Sequence, residues 1–247
     1  NKNGINTFHG YLNDKAMVPV KNGADLILAS NVFAHADDLK SMALCMKNLL
    51  KPDGKIIIEV QYLLNTLNDL TFDNIYHEHF NYWSLLTLKK FLENLELKIF
   101  KVERINTHGG SIRVYVTKDQ NLNVDESVQK LLIEEEKFGL SNISTYFEFG
   151  KKIEKLKSNV VNNLKKIKQK HKKLVGYGAP AKATTALNFF GISNEIDFII
   201  EDNKLKHDKY VPGVNIPIYS KSKIKNNKSP ILVLAWNFYK EIKKNNK

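Results

Sequence analysis

Asp25-Leu26-Ile27-Leu28-Ala29-Ser30 is a short continuous apolar run that ends in small polar residues. Such a run predicts a parallel strand, buried on both faces, reaching the carboxyl edge of a sheet. Helical spacing takes over at Asp37-Asp38, with Leu39, Met42, Ala43, Met46, Leu49 and Leu50 on one face. Two acids in the first turn suit the helix dipole. Lys51-Pro52-Asp53-Gly54 predicts a turn, and residues 55–60 a second buried strand. Strand, helix, turn and strand together make a right-handed crossover of a doubly wound sheet.

A further helix is predicted over 84–95, where Leu85, Leu88, Phe91, Leu92 and Leu95 share a face. Two β-rich runs follow, 97–105 and 111–117. The joining Asn106-Thr107-His108-Gly109-Gly110 is too short for a crossover helix, so these strands should be antiparallel neighbours. A parallel sheet closed by an antiparallel hairpin resembles the class I methyltransferase sheet. Residues 118–124 are polar and mark a boundary, and helices are expected over 125–136 and 145–171. A new α/β unit then opens: a strand from Lys173, a glycine turn, a helix to about Phe190, and strands at 196–201 and 231–235. A last helix starts near Phe238. The fold class is therefore α/β, a partial class I methyltransferase (Rossmann-like) sheet with a second, C-terminal Rossmann-like domain.

Composition narrows the function classes. With 43% apolar and 26% charged residues the chain is globular, and no apolar run reaches the roughly 18 residues that span a bilayer. A cytoplasmic enzyme is expected. The single cysteine, Cys45, lies in an apolar helical stretch, so neither a disulfide framework nor a thiolate zinc site can be built. The net charge of +12 comes with many lysines in 151–173 and 221–247, interleaved with Asn and Ile. That is the pattern of a solvated helix face, and no aromatic-lined basic groove accompanies it, so no nucleic-acid partner is expected. The positive field would help to gather a small anionic substrate.

Phe72-Asp73-Asn74-Ile75-Tyr76-His77-Glu78-His79-Phe80-Asn81-Tyr82 concentrates two histidines, a glutamate and two tyrosines. An imidazole titrates near neutral pH and a neighbouring carboxylate fixes its tautomer, so the stretch reads as an acid–base cluster. A His-x-His metal chelate and a purely aromatic anchor loop are the competing readings; no third metal ligand is evident nearby. His35 follows the first strand, at the edge where ligands of open α/β sheets bind. His108 and Gly109 join two strands; the glycines either permit a tight turn or let the backbone approach a substrate. Gly176-Tyr177-Gly178-Ala179-Pro180-Ala181 fits G-x-G-x-x-A between a strand and a helix, and Glu201-Asp202 ends the next strand. That is a dinucleotide-fold pattern, although a helix N-terminus of this kind serves any phosphate, or none.

Tyr76-His77-Glu78-His79, taken with Asn31-Val32-Phe33-Ala34-His35, Lys51-Pro52-Asp53-Gly54, Thr107-His108-Gly109-Gly110-Ser111-Ile112-Arg113-Val114-Tyr115, Gly176 to Lys182 and Tyr210-Val211-Pro212-Gly213, resembles the sugar C-methyltransferases. These act on nucleotide-linked 4-keto-hexoses with S-adenosylmethionine. The resemblance runs in order from about residue 20 to the end, and implies a zinc-binding N-terminal domain, a methyltransferase domain and a Rossmann-like C-terminal domain. No glycine-rich cofactor loop precedes Asp25, so the chain is expected to be N-terminally truncated. Zinc is expected only in the missing domain, with no metal in this chain. Residues 1–120 would be the closing part of the methyltransferase domain, and 121–247 a helical linker plus the C-terminal domain. The resemblance makes His79 the general base, with Tyr76 and Glu78 holding the sugar and tuning it, and His35 lining the same cavity. Ala29, Ser30 and Asn31 would line the S-adenosylmethionine site. His108, Gly109, Tyr177 and Lys182 would contact the nucleotide-diphospho-sugar. Two other readings stay open: a non-catalytic chain that binds a sugar nucleotide, and an NAD-binding protein.

Overall fold

The computed structural model describes residues 4, 7, 9–12, 23–224 and 229–245. Its contacts divide the chain into two compact units, Asn1–Thr66 with Glu78–Ile143, and Leu67–His77 with Ser144–Lys247.

The first unit contains β1 (Ala24–Ser30), α1 (Leu39–Leu49), β2 (Leu50–Gln61), the start of α2 (Leu63–Asn68), α3 (Leu85–Glu93), β3 (Lys98–Ile105), β4 (Ser111–Thr117) and α4 (Glu126–Phe138). Its sheet has the order β1-β2-β4-β3, with β1 parallel to β2 and β4 antiparallel to both of its neighbours. The reversed strand of the hairpin thus inserts beside β2 and leaves β3 at the edge, the arrangement that closes a class I methyltransferase sheet. The expected turn at 51–54 shows as a break in register: Ala24 pairs with Leu50, but Leu26 pairs with Lys55. β2 bulges out there while β1 advances two residues.

One face of this sheet buries Ile56, Ile58 and Val60 beside Ile112, Val114 and Val116. β1 departs from the expectation of burial on both faces. Ala29 is buried, whereas Leu26 and Leu28 are 53% and 66% exposed, so among the described residues β1 alternates like a strand covered on one side. α1 begins after both acids, with none in its first turn: Asp38 instead caps it, accepting the Ser41 N–H at 3.0 Å. α3 has a capping box built from Ser84 and Thr87. A second anchor is less expected. Glu135 on α4 is 2% exposed, and its carboxylate accepts the Leu85 and Leu86 N–H groups at 2.5 and 3.0 Å. A buried anion there satisfies two donors that α3 cannot satisfy itself and complements its dipole. Burial, together with the nearby Glu135, pushes the Tyr62 hydroxyl up, so it stays protonated.

The second unit contains most of α5 (Ile143–Lys170), then β5 (Val175–Tyr177), α6 (Ala181–Phe190), β6 (Phe198–Ile200), β7 (Ile218–Tyr219), β8 (Ile231–Val233) and α7 (Tyr239–Asn245). All strand pairs are parallel, in the order β7-β6-β5-β8. This is one half of a doubly wound sheet, whose strand order reverses between β5 and β8. Leu164 of α5 joins Leu174, Leu187, Ile199 and Ile218 in its core. The last helix was expected over 238–247; residues 246 and 247 lie outside the described ones. The units separate at three points, Thr66/Leu67, His77/Glu78 and Ile143/Ser144, so α4, expected in the helical linker, packs in the first unit.

Glu135→Ala is expected to cost about 2–4 kcal/mol, since it strands two buried donors. Urea unfolding followed through Trp83 in a Trp236→Phe background measures this. A loss below about 0.5 kcal/mol, the range of an ordinary surface change, would contradict the role given to Glu135.

Candidate active site

The histidine site grows out of the carboxyl end of β1. Asn31 turns the chain with φ 54°, and its N–H donates to the Glu59 carbonyl at 2.9 Å. Asn tolerates this left-handed conformation better than most residues. A 3-10 turn, Phe33–His35, follows. Phe33 is fully buried, its ring 5.9 Å from Trp83 and 6.1 Å from Phe91, and those two rings lie 5.7 Å apart. The turn that carries His35 therefore rests on an aromatic trio, one member of which, Trp83, closes the histidine-rich loop.

Three hydrogen bonds tie that loop to the turn. The Ala34 carbonyl accepts the N–H groups of Phe80 at 3.1 Å and Asn81 at 3.3 Å. His35 Nδ1 lies 2.7 Å from the Glu78 carbonyl oxygen. A carbonyl oxygen only accepts, so Nδ1 carries the hydrogen, and in the neutral ring the lone pair is on Nε2. The His79 ring packs edge-on to His35 at 4.9 Å, with Tyr82 6.4 Å from His79. The structure thus brings His35, Glu78 and His79 together, with the Glu78 backbone as the contact. Tyr76 belongs to the second unit, its ring 6.2 Å from His77.

Ala29, Ser30 and Asn31 form the end of β1. Ala29 is 2% exposed, Ser30 faces outward, and Asn31 Nδ2 lies 3.5 Å from Ser30 Oγ. This strand end is small and polar. It supplies no free acid for a ribose, because the neighbouring Glu59 carboxylate accepts Arg113 Nε and Nη2 at 3.2 and 3.0 Å. His108 has φ 52°, its carbonyl accepts Gln61 Nε2 at 3.4 Å, and Gly109 has φ 88°. At Gly110, φ is 109° and a Cβ would come within 2.7 Å of Asn65. The turn itself needs glycine at that position.

The glycine turn of the second unit is packed from within. A Cβ on Gly176 would meet Ile199 at 2.8 Å, and one on Gly178 would meet Ala235 at 2.8 Å. The Ala179 N–H, which a bound phosphate would use, donates instead to Glu201 Oε2 at 2.7 Å. Glu201 Oε1 accepts the Asp202 and Asn203 N–H groups at 2.9 and 3.0 Å, and Lys206 Nζ donates to the Ala179 carbonyl at 2.8 Å. Burial pushes the Glu201 carboxyl up, but these N–H groups and the Lys206 charge outweigh it, and the net displacement is downward. Tyr177 is 7% exposed and its hydroxyl donates to Asp202 at 2.8 Å. A cleft of about 490 Å³ opens here, lined among others by Tyr177, Asp202, Lys206, Lys221 and Phe238. Lys182 is buried, with Nζ 5.1 Å above the Trp236 ring. Among the described residues no three His, Cys, Asp or Glu side chains gather as metal ligands, and no helix is long and apolar enough to cross a membrane.

Sequence reasoning did not single out Glu59, Asp73, Glu135 or Trp236. The signal for Glu59 was available, a lone charge in the run Ile56-Ile57-Ile58-Glu59-Val60.

Residues 106–247 match the model of the C-methyltransferase C-terminal domain, and residues 3–102 that of a methyltransferase domain. C-methyltransferase NovU of Streptomyces niveus is 34% identical over 91% of this chain and 54% of its own length. The chain thus spans about half the length of this relative. A chain in the complex of the Haloferax volcanii Trm112 methyltransferase activator with a putative methyltransferase is 15% identical, with a TM-score of 0.37 over 46% of this chain and 61% of its own. The mitomycin 7-O-methyltransferase MmcR is 17% identical, with a TM-score of 0.33 over 40% and 31%. Both overlaps are too slight to bear on chemistry.

Two outcomes follow for the glycine turn. NADH fluorescence should not change on titration with the protein; a saturable enhancement would contradict the internal role of Glu201. The folded Glu201 carboxyl lies below its ordinary value of 4.5, so its stabilisation is complete above that pH and is lost as pH falls through the folded value. Glu201→Gln should lower stability at neutral pH and flatten the acid side of the stability profile, read by thermal melts across pH. An unchanged acid limb would overturn the assignment.

Proposed function

The chain belongs to the C-methyltransferase family, and from that premise we propose that it carries the base of an enzyme that methylates a nucleotide-linked keto-deoxysugar at the carbon beside the ketone. The observation that supports this reading is the His35–His79 pair at the carboxyl edge of β1, where open α/β sheets bind ligands. The sugar class rests on the blocks around Tyr76-His77-Glu78-His79 and Thr107 to Tyr115. Cytoplasmic location fits a nucleotide-activated substrate.

A carbonyl acidifies the hydrogen on the adjacent carbon because the resulting carbanion is an enolate. His79 takes that proton, and the C–H electron pair passes into the enolate. Ala29, Ser30 and Asn31 would lie along one side of S-adenosylmethionine. When bound, the donor supplies a methyl group on sulfonium, whose carbon–sulfur electrons remain on sulfur as the new carbon–carbon bond forms. Tyr76 and Glu78 hold the sugar, and His35 lines the same cavity. His35 also fixes the loop through Glu78, which holds the His79 ring against its own. His108, Gly109, Tyr177 and Lys182 serve substrate contact in this reading. His79 finally returns its proton to solvent. A positioned base of this kind contributes about 10²–10⁴-fold.

Proton removal can be read without methyl transfer. In D2O the protein should catalyse deuterium uptake at the carbon beside the ketone of a nucleotide-linked 4-keto-6-deoxyhexose. His79→Asn should slow the uptake by about 10²-fold or more with substrate binding retained. Uptake at the unaltered rate would remove His79 from the role of base.

A further inference from the structure

The cleft at the carboxyl edge of the parallel sheet lies wholly within the second unit. Its volume of about 490 Å³ is in the range of small-molecule sites, roughly 300–1,000 Å³. Strand order reverses there, between β5 and β8, the place where open α/β sheets bind ligands. One wall is α7 with the turn before it. Phe238, Glu241, Ile242 and Asn245 line the cleft at i, i+3, i+4 and i+7, which is one helix face. Ile242 packs against Val175, Tyr177 and Ile200, which ties that face to the sheet. Phe238 is 54% exposed, an aromatic ring left open among polar groups.

The opposite wall is the turn after β5 with the end of β6, and its hydrogen bonds decide what the cleft takes. The Gly178 N–H donates to the Ile200 carbonyl at 2.8 Å, and the Ala179 N–H to Glu201 Oε2 at 2.7 Å. Two of the donors that a phosphate would use ahead of α6 are therefore spent, and a carboxylate stands where the anion would be. Lys206 is engaged as well: its Nζ donates to the Ala179 carbonyl at 2.8 Å and lies 4.0 Å from Glu201 Oε2. Asp202 differs from Glu201. It is exposed, and its Oδ2 accepts the Tyr177 hydroxyl at 2.8 Å. A carboxylate accepts several hydrogen bonds, so Tyr177 orients Asp202 without exhausting it. An acid that ends this strand is the group that takes ribose hydroxyls in such sheets.

We propose that this cleft is a ligand site for a ribonucleoside group, held by its base and its ribose and not by phosphate. The base stacks on Phe238 beside Ile242, and the ribose diol donates to Asp202. The proposal goes beyond the methyl-transfer reading and does not rest on it. A free nucleoside, an adenosyl thioether and the nucleoside end of a sugar nucleotide share this chemistry.

The intact protein is titrated with adenosine and followed by backbone amide shifts. Residues 177–178, 202–203 and 241–245 should shift saturably. Phe238→Ala and Asp202→Asn should each weaken binding about tenfold, through a lost stacking face and a lost charged acceptor. Thermal melts should stay in place, since Asn keeps an acceptor for Tyr177 and Phe238 is half exposed. Dideoxyadenosine should bind about tenfold more weakly than adenosine, for want of the diol. AMP should bind no more than about threefold more tightly, because donors for its phosphate are spent. Displacement of adenosine by S-adenosylhomocysteine or by UDP-glucose, read at the same amides, identifies the carrier of the nucleoside. The absence of saturable shifts at these residues would overturn the proposal, as would dideoxyadenosine bound as tightly as adenosine. AMP bound about tenfold more tightly would also overturn it, marking a phosphate site at the helix start.

Discussion

The histidine loop keeps its shape because its backbone is tied to the turn that follows β1. The Ala34 carbonyl takes two N–H groups from residues 80 and 81, and His35 donates to the carbonyl of Glu78. Remove these bonds and the His35 imidazole loses the carbonyl that fixes its tautomer. With them, His35 is confined to one tautomer and His79 stands edge-on to it at 4.9 Å. Beneath the turn, Phe33, Trp83 and Phe91 turn the polar contacts into a rigid placement, since Phe33 precedes His35 by two residues and Trp83 follows His79 by four. Catalytic geometry on loops is commonly secured in this way, by a packed scaffold under a polar surface.

That scaffold depends in turn on the reversed strand. Inserting β4 between β2 and β3 brings the Ser111 end of the hairpin beside Gln61, the carboxyl end of β2. The Tyr62 N–H then reaches the Gly110 carbonyl, and the Leu63 N–H reaches Trp83. Each step is local, and each is set by a residue type. Gly110 can adopt φ 109° without a Cβ striking Asn65, Ser84 caps α3, and Glu135 completes that cap from a distant helix. Glu135 shows how a charge can serve the core when helix N–H groups receive it.

Most of the sheet architecture was legible in the sequence. Continuous apolar runs and helical spacing marked β1, α1 and β2, and the short 106–110 link forced the antiparallel hairpin. Its insertion beside β2 was not legible, because strand order depends on which edge is free and not on local pattern. The two-residue β7 carries too little pattern to be seen. The exposure of Leu26 and Leu28 could not be read either, as a run of apolar residues does not say whether both faces are covered. In the site, the histidine-rich stretch was legible from residue types and spacing, whereas a cavity shared by His35 and His79 was implied only by the family resemblance. Two features were hidden. Phe72 to Tyr82 reads as one stretch, yet the chain passes from one unit to the other at His77/Glu78. The burial of Asp73 depends on Trp236, 163 residues away. The G-x-G-x-x-A turn was legible as a pattern but not in its use, because the group that takes the Ala179 N–H, Glu201, lies 22 residues further on.

The central claim is that this histidine site makes a carbon nucleophile beside a ketone. Transfer of a ¹³C-labelled methyl group from S-adenosylmethionine to a nucleotide-linked 4-keto-6-deoxyhexose by the intact protein, followed by NMR of the product, tests it most directly. The account requires the label on the ring carbon next to the ketone, with loss of that carbon's hydrogen. A labelled methyl on oxygen, or on a carbon with no carbonyl neighbour, would contradict it.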